Sequence, residues 1–242
     1  MRRAGMARGP GRAPGRVTCG PAEGSGQNGG APATLHTDGH RRTRTTTEEN
    51  DVGTVTLGVS IAVPEPYGSL LQERRAGFGD PAAYGIPTHV TLLPPTEVDA
   101  ACLPAIRAHL AEVAAAGRAF PMRLSGTGTF RPLSPVVFVQ VVEGGADCAW
   151  LQQRVRDSAG PLVRDLQFPY HPHVTVAHGI SEEGMDRAFA ELGGFEAEWT
   201  CGGFALYEQG GDGVWRKLYE YGFGLSGVPV QGGSRDEPSV RA

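Results

Sequence analysis

Residues 88–93 read THVTLL and residues 172–177 read PHVTVA. Each run is short and apolar and begins at a proline, Pro87 or Pro172, and the first runs into Pro94 and Pro95. Proline edges, β-branched residues and alternation read as strands. Side chains two apart on a strand share a face. His89 and Thr91 therefore point one way while Val90 and Leu92 point the other, and His173 and Thr175 stand against Val174 and Val176 in the same fashion. Each strand shows an imidazole beside a hydroxyl and anchors itself by its opposite face. A single H-x-T is unremarkable in a chain of this composition; two H-V-T copies, both in short apolar strands, are not.

Working outward, residues 54–63 (TVTLGVSIAV) read as a strand ended by Pro64, and residues 66–79 as a short helix carrying Leu70, Leu71 and Arg74 that closes at Gly77 and Gly79. Asp99 is the expected cap of a helix over 100–116, where Cys102, Ile106, Leu110 and Val113 fall on one face. Strands are expected over 120–130 and 135–142. A helix near 146–165 with Trp150, Leu151, Val155 and Leu162 leads to the second H-V-T strand, followed by a helix over 182–192 and strands over 195–208 and 214–223. Each half then runs H-V-T strand, helix and two strands. Repetition of that order predicts two similar α+β lobes related by a pseudo-twofold axis, so that the two His-Thr pairs face each other.

The remainder of the 242 residues bounds the partners. Residues 1–52 form a basic extension rich in Gly, Pro and Thr, with no apolar h-region of a secretory signal, and are expected to be disordered. The folded domain is expected over 53–225, with a flexible tail over 226–242. Of 22 basic and 26 acidic residues, eight and four fall in the first fifty, leaving a net charge of −8 beyond them. Such a body does not grip long nucleic acid by bulk electrostatics, so a phosphate must be held locally. No apolar run reaches the length of a membrane span. Cys19, Cys102, Cys148 and Cys201 are scattered without a C-x-x-C, which suits a reducing, cytoplasmic setting.

Two imidazoles beside two hydroxyls suit transfer of a phosphoryl group between oxygens. The attacking oxygen must lose a proton while the leaving oxygen gains one, and imidazole supplies both forms near neutrality. The threonine hydroxyls can donate to the nonbridging oxygens as charge builds. The scheme uses no metal and no cofactor. Arg131, after Phe130 in GTGTFRP, is a candidate phosphate contact. Tyr170 and His171 are candidate substrate contacts, and Phe130 and Phe168 are candidate stacking rings weighed against a core role. HPHVTVAH also admits a zinc reading on His171, His173 and His178. The glycines of GTG lead into no helix and make no nucleotide fingerprint.

THVTLL and PHVTVA, with FPYHPHVTVAHG (168–179) and GTGTFRPLSPVVFV (126–139), resemble the paired H-x-T/S segments of the 2H phosphoesterase superfamily, nearest to its bacterial 2′-5′ RNA ligase and 2′,3′-cyclic phosphodiesterase members. The likeness covers about residues 54–223. It implies an α+β, bilobal, duplicated fold of two antiparallel-sheet lobes with flanking helices around a central cleft. By the same resemblance His89 and His173 are catalytic and Thr91 and Thr175 bind phosphate. The implied substrate is a nucleotide or short oligonucleotide with a cyclic phosphate or 2′-5′ linkage, as in RNA processing. The enzyme is then a cytoplasmic hydrolase, expected to act as a monomer without cofactor, membrane or obligate protein partner. A noncatalytic nucleotide or RNA-end binding module on the same fold is the alternative.

Overall fold

The computed structural model describes residues 53–163, 168–224 and 230–231; the expected disordered extension and most of the expected tail lie outside them. Along the chain run β1 (Thr54–Ala62), α1 (Tyr67–Gly77), β2 (His89–Asp99), α2 (Leu103–Ala116), β3 (Phe120–Thr129), β4 (Val136–Glu143), α3 (Gly145–Val155), β5 (His173–His178), α4 (Glu182–Glu191), β6 (Glu196–Cys201), β7 (Gly203–Gln209), β8 (Trp215–Gly222) and β9 (Val230–Gln231). All strands join one antiparallel sheet in the order β6-β3-β4-β5-β2-β1-β7-β8-β9. The two H-V-T strands are neighbours at its middle. The expected α+β class and its two antiparallel halves are therefore present, joined into a single sheet.

The repeat begins one strand earlier than the sequence suggested. Its unit is strand, helix, H-V-T strand, helix, strand: β1-α1-β2-α2-β3 and then β4-α3-β5-α4 leading through β6 to β7. The last strand of each unit crosses into the other half, because β3 pairs with β4 while β7 pairs with β1. Helices cross too: α3 packs near β2 and α1 near β5. The halves thus share one core, in which Leu57, Ile61, Leu92, Ile106, Leu110, Leu151 and Met185 are all almost wholly buried.

Three element boundaries differ for physical reasons. The run 195–208 looks like one strand, yet Gly202 divides it, with β6 at one edge of the sheet beside β3 and β7 beside β1. One residue spans only a few ångströms, so the sheet must curl until its two ends approach. Pro94 and Pro95 do not stop β2, which continues to Asp99. They sit opposite a register shift at Gly58, where β2 has no partner on its other side beyond Val90 among the described residues. There a missing N–H costs no ladder bond. The helix expected to 165 ends at Val155, and Leu162 is buried in the turns that follow. Asp99 ends β2 and makes no side-chain capping bond to the 3-10 turn at Ala100–Cys102. Cys148 and Cys201 are free and buried, but Cys102 is disulfide-bonded, a pairing that scattered spacing does not reveal. No described helix is long and apolar enough to cross a membrane.

Candidate active site

The centre of the sheet is a single residue pair. β2 and β5 are in antiparallel register only at Val90 and Val174 among the described residues. Directly opposed residues share a face, and both valines are fully buried. Alternation then puts His89, Thr91, His173 and Thr175 together on the opposite face, with His89 set toward Thr175 and Thr91 toward His173. All four are half-buried. The Val90–Val174 pair is the one place among the described residues where the two motif strands are in register.

Both histidines are oriented by the same local device. His89 Nδ1 lies 2.6 Å from the Pro87 carbonyl, and His173 Nδ1 lies 2.7 Å from the His171 carbonyl. A carbonyl can only accept, so each Nδ1 carries a proton and donates it. In the neutral ring each Nε2 then holds the lone pair. Burial is the main cause that holds both imidazoles below the ordinary value of 6.5. The carbonyl bonds oppose it. The positive Arg75 and the second imidazole lower His89 further, and His171 lowers His173. The effect of His173 on His89 places the two motif imidazoles within electrostatic reach.

The surroundings differ on the two sides. His173 stands in an aromatic cluster, with the Phe130 and Phe138 ring centroids each 5.0 Å from its own and His171 at 5.9 Å. His171 is exposed, lies in the segment just before β5 and packs edge-on to both phenylalanines. Arg131 is engaged elsewhere: its Nη1 lies 2.6 Å from Glu182 and 2.9 Å from Asp186 on α4. That pairing clamps the loop that carries Phe130. Tyr170 is half-buried and donates its hydroxyl to the Thr91 carbonyl at 2.9 Å, so it ties the two halves together. Phe168 is 72% exposed. Among the described residues no group of three or more His, Cys, Asp or Glu is placed to hold a metal ion, and His171, His173 and His178 make no such set.

Sequence reasoning missed the features on the His89 side. A small open depression borders His89 and Thr91, with Ser60, Tyr207 and Trp215 in its wall. Arg75 and Asp80 form a buried ion pair at 2.8 Å, and Asp80 also accepts the His178 backbone N–H at 3.2 Å. These residues come from elements far apart in the chain, and no spacing announces them.

This fold and its duplicated His-Thr strands define a class. The model of the 2′-5′ RNA ligase superfamily matches residues 63–213, well over half the chain and both H-V-T strands, so the chain belongs to that superfamily, the 2H phosphoesterases. Among individual proteins it is 29% identical over 135 residues to the Halalkalibacterium halodurans protein named "Putative phosphoesterase BH1439", covering 56% of this chain and 77% of that one. Its fold is similar to that of E. coli LigT in apo form (21% identity, TM-score 0.53, 71% of this chain and 99% of that one). It is also similar to LigT complexed with 3′-AMP (18%, 0.52, covering 72% and 100%), and to TT0787 of Thermus thermophilus (22%, 0.50, covering 70% and 98%).

Proposed function

We propose that the protein hydrolyses cyclic phosphodiesters, of the 2′,3′-cyclic nucleotide or RNA-end type, by two-histidine acid–base catalysis. The observation that carries this reading is the matched pair of Nδ1–carbonyl bonds on one face of the sheet, which frees two Nε2 atoms beside two threonines. A neutral imidazole takes a proton from water as the water oxygen bonds to phosphorus. The P–O bond to the ribose oxygen on the far side breaks, and the protonated imidazole supplies that oxygen's proton. A phosphomonoester results, the two imidazoles have exchanged protonation states, and exchange with solvent restores them. Thr91 and Thr175 donate to the nonbridging oxygens as their charge grows. The 3′-AMP in one LigT complex is what this step leaves when the 2′ oxygen departs.

The superfamily's name favours a second reading of the same site, in which a ribose hydroxyl replaces water and a 2′-5′ linkage forms reversibly. Both readings carry a nucleotide or short oligonucleotide as ligand, with a monomer working in the cytoplasm. The test is a panel of 2′,3′-cyclic nucleotides and 2′-5′ dinucleotides, assayed with wild type, His89→Ala and His173→Ala. Each substitution should lower turnover by about 10²–10⁴-fold, the usual contribution of a positioned acid or base. Near-wild-type rates in either variant would overturn the paired mechanism. Nucleotide binding without turnover at any pH would identify a binding module.

A further inference from the structure

The two motif strands meet in register at Val90 and Val174. One such pair fixes a point of contact but not the angle between the strands. Side-chain bonds on either side of it supply that constraint. Tyr170, in the segment ahead of β5, donates to the Thr91 carbonyl on β2. Asp80, in the segment ahead of β2, accepts the backbone N–H of His178 at the far end of β5, at 3.2 Å. Each tie reaches from the segment before one H-V-T motif to the strand that carries the other. Antiparallel order sets the two ties on opposite sides of the valine pair.

The surroundings of Asp80 suit it to this task. Its Oδ2 also accepts Arg75 Nε at 2.8 Å, and its Oδ1 accepts the Ala82 N–H at 2.9 Å. All three partners are donors, and an ionised carboxylate only accepts. Arg75 and Asp80 are 8% and 4% exposed, so each charge stands in for the water the other has lost. The chain from Asp80 to His89 is then held at successive points. Gln72 on α1 donates to the Ala83 carbonyl at 3.0 Å, the Trp215 N–H donates to Gly85 at 2.7 Å, and Thr88 Oγ1 donates to the Gly68 carbonyl at 3.0 Å. The segment leads to Pro87, whose carbonyl orients His89. A shift at Asp80 therefore moves β5 and the support of His89 together.

We propose that the buried Arg75–Asp80 pair is a positioning element of the two-histidine site, the counterpart of the Tyr170–Thr91 bond, and holds His89 and His173 at the spacing and angle that proton transfer needs. This role presupposes the two-histidine hydrolysis proposed for the site. Arg75 bonds Asp80, and Asp80 bonds backbone N–H groups, so the pair acts on the imidazoles through the strands. Arg75 also lies within electrostatic reach of His89, as does His173 from β5, with Tyr207 of β7 beside them in the wall of the depression. A positive neighbour opposes a second charge on the ring, so removing Arg75 should let His89 keep its proton to higher pH.

The test uses two variants. Asp80→Asn keeps the shape but turns one acceptor into a donor that faces donors. Arg75→Met/Asp80→Ala removes both charges, so that neither is left buried alone. Each is assayed on 2′,3′-cyclic nucleotides once near-UV circular dichroism matches wild type. Both should lower kcat by about 10- to 100-fold with KM within about threefold, because misplacing a reacting pair acts on the transition state. In the double variant the limb of the pH profile that His89 sets should move to higher pH. Wild-type kcat with an unmoved limb would overturn the positioning role and leave the hydrolytic reading intact. Should the double variant fail to fold, the kcat of Asp80→Asn decides in the same way. If wild type turns over no cyclic phosphate, the hydrolytic reading falls, and NMR titration of the imidazoles tests the pair by itself. The His89 signal, assigned through His89→Asn, should then titrate at higher pH in the double variant than in wild type; in Asp80→Asn, where that variant alone folds, it should likewise differ from wild type. An unchanged titration would overturn the proposal.

Discussion

A histidine serves as base or acid through one nitrogen, and at both motif positions the backbone decides which. The carbonyl two residues upstream accepts the Nδ1 proton at His89 and at His173 alike, which leaves Nε2 with the lone pair of the neutral ring. Strand parity made the His-Thr pairs legible in the sequence, because a period of two needs no tertiary information. Those carbonyl bonds were not legible, nor was the burial that depresses both imidazoles. That burial has a consequence for pH. Catalysis needs one imidazole neutral and the other charged, so the kcat/KM bell of the free enzyme should lie on the acid side of 6.5. A profile centred above pH 7 would contradict the buried pair. Stability carries the same sign. Both folded values sit below the unfolded value of 6.5, so the unfolded chain binds more protons as pH drops through that value, and stability is lost there. The urea midpoint should therefore fall between pH 7.5 and 5.5, by less in His89→Asn than in wild type.

Elements meet here in ways that local pattern does not specify. The sequence 195–208 carries no proline and only Gly202 and Gly203 as interruptions, so it reads as one strand, yet its two parts belong to opposite regions of the sheet. The reason lies in packing at the crossing. Gly203 opens β7 opposite Gly222, and a Cβ there would run into the Tyr221 backbone carbonyl. Backbone cannot swing aside as a side chain can, so Gly203→Ala should cost at least the 1–3 kcal/mol typical of overpacking, measured by urea denaturation. An unchanged midpoint would mean that β7 enters the sheet differently. Asp80 offers a second case. It joins α1 to β5 by pairing with Arg75, which is itself buried, and by accepting the Ala82 and His178 backbone N–H groups. Removing it strands a buried guanidinium, so Asp80→Ala should destabilise by about 3–5 kcal/mol, and an added Arg75→Met should recover much of that.

At the scale of the molecule, the repeat was visible as an order of elements but its spatial phase was not. Order records which strands follow one another, and pairing depends on crossings between distant segments. β3 and β7 each leave the unit that produces them to complete the other, α1 and α3 pack across the seam, and Tyr170 bonds Thr91 between the two central strands. Neither half can bury its sheet face alone, since each would surrender a strand on which its partner depends. Unfolding should accordingly be one transition despite the two-lobed plan. Far-UV and near-UV circular dichroism are expected to give coincident urea curves, and the segment 53–143, which holds β3 and β4 without β5 or β6, should not fold by itself. The placing of the two histidines depends on the same interlacing, because the backbone pair at Val90 and Val174 holds their strands in register. Tyr170→Phe removes a side-chain bond across that seam and should cost only about 0.5–1.5 kcal/mol in stability. Its effect on turnover should exceed its effect on nucleotide affinity, since the bond fixes how the two imidazoles face each other. Two separated unfolding transitions would show that the halves stand independently, and the shared core could then no longer be what holds His89 and His173 to one phosphorus.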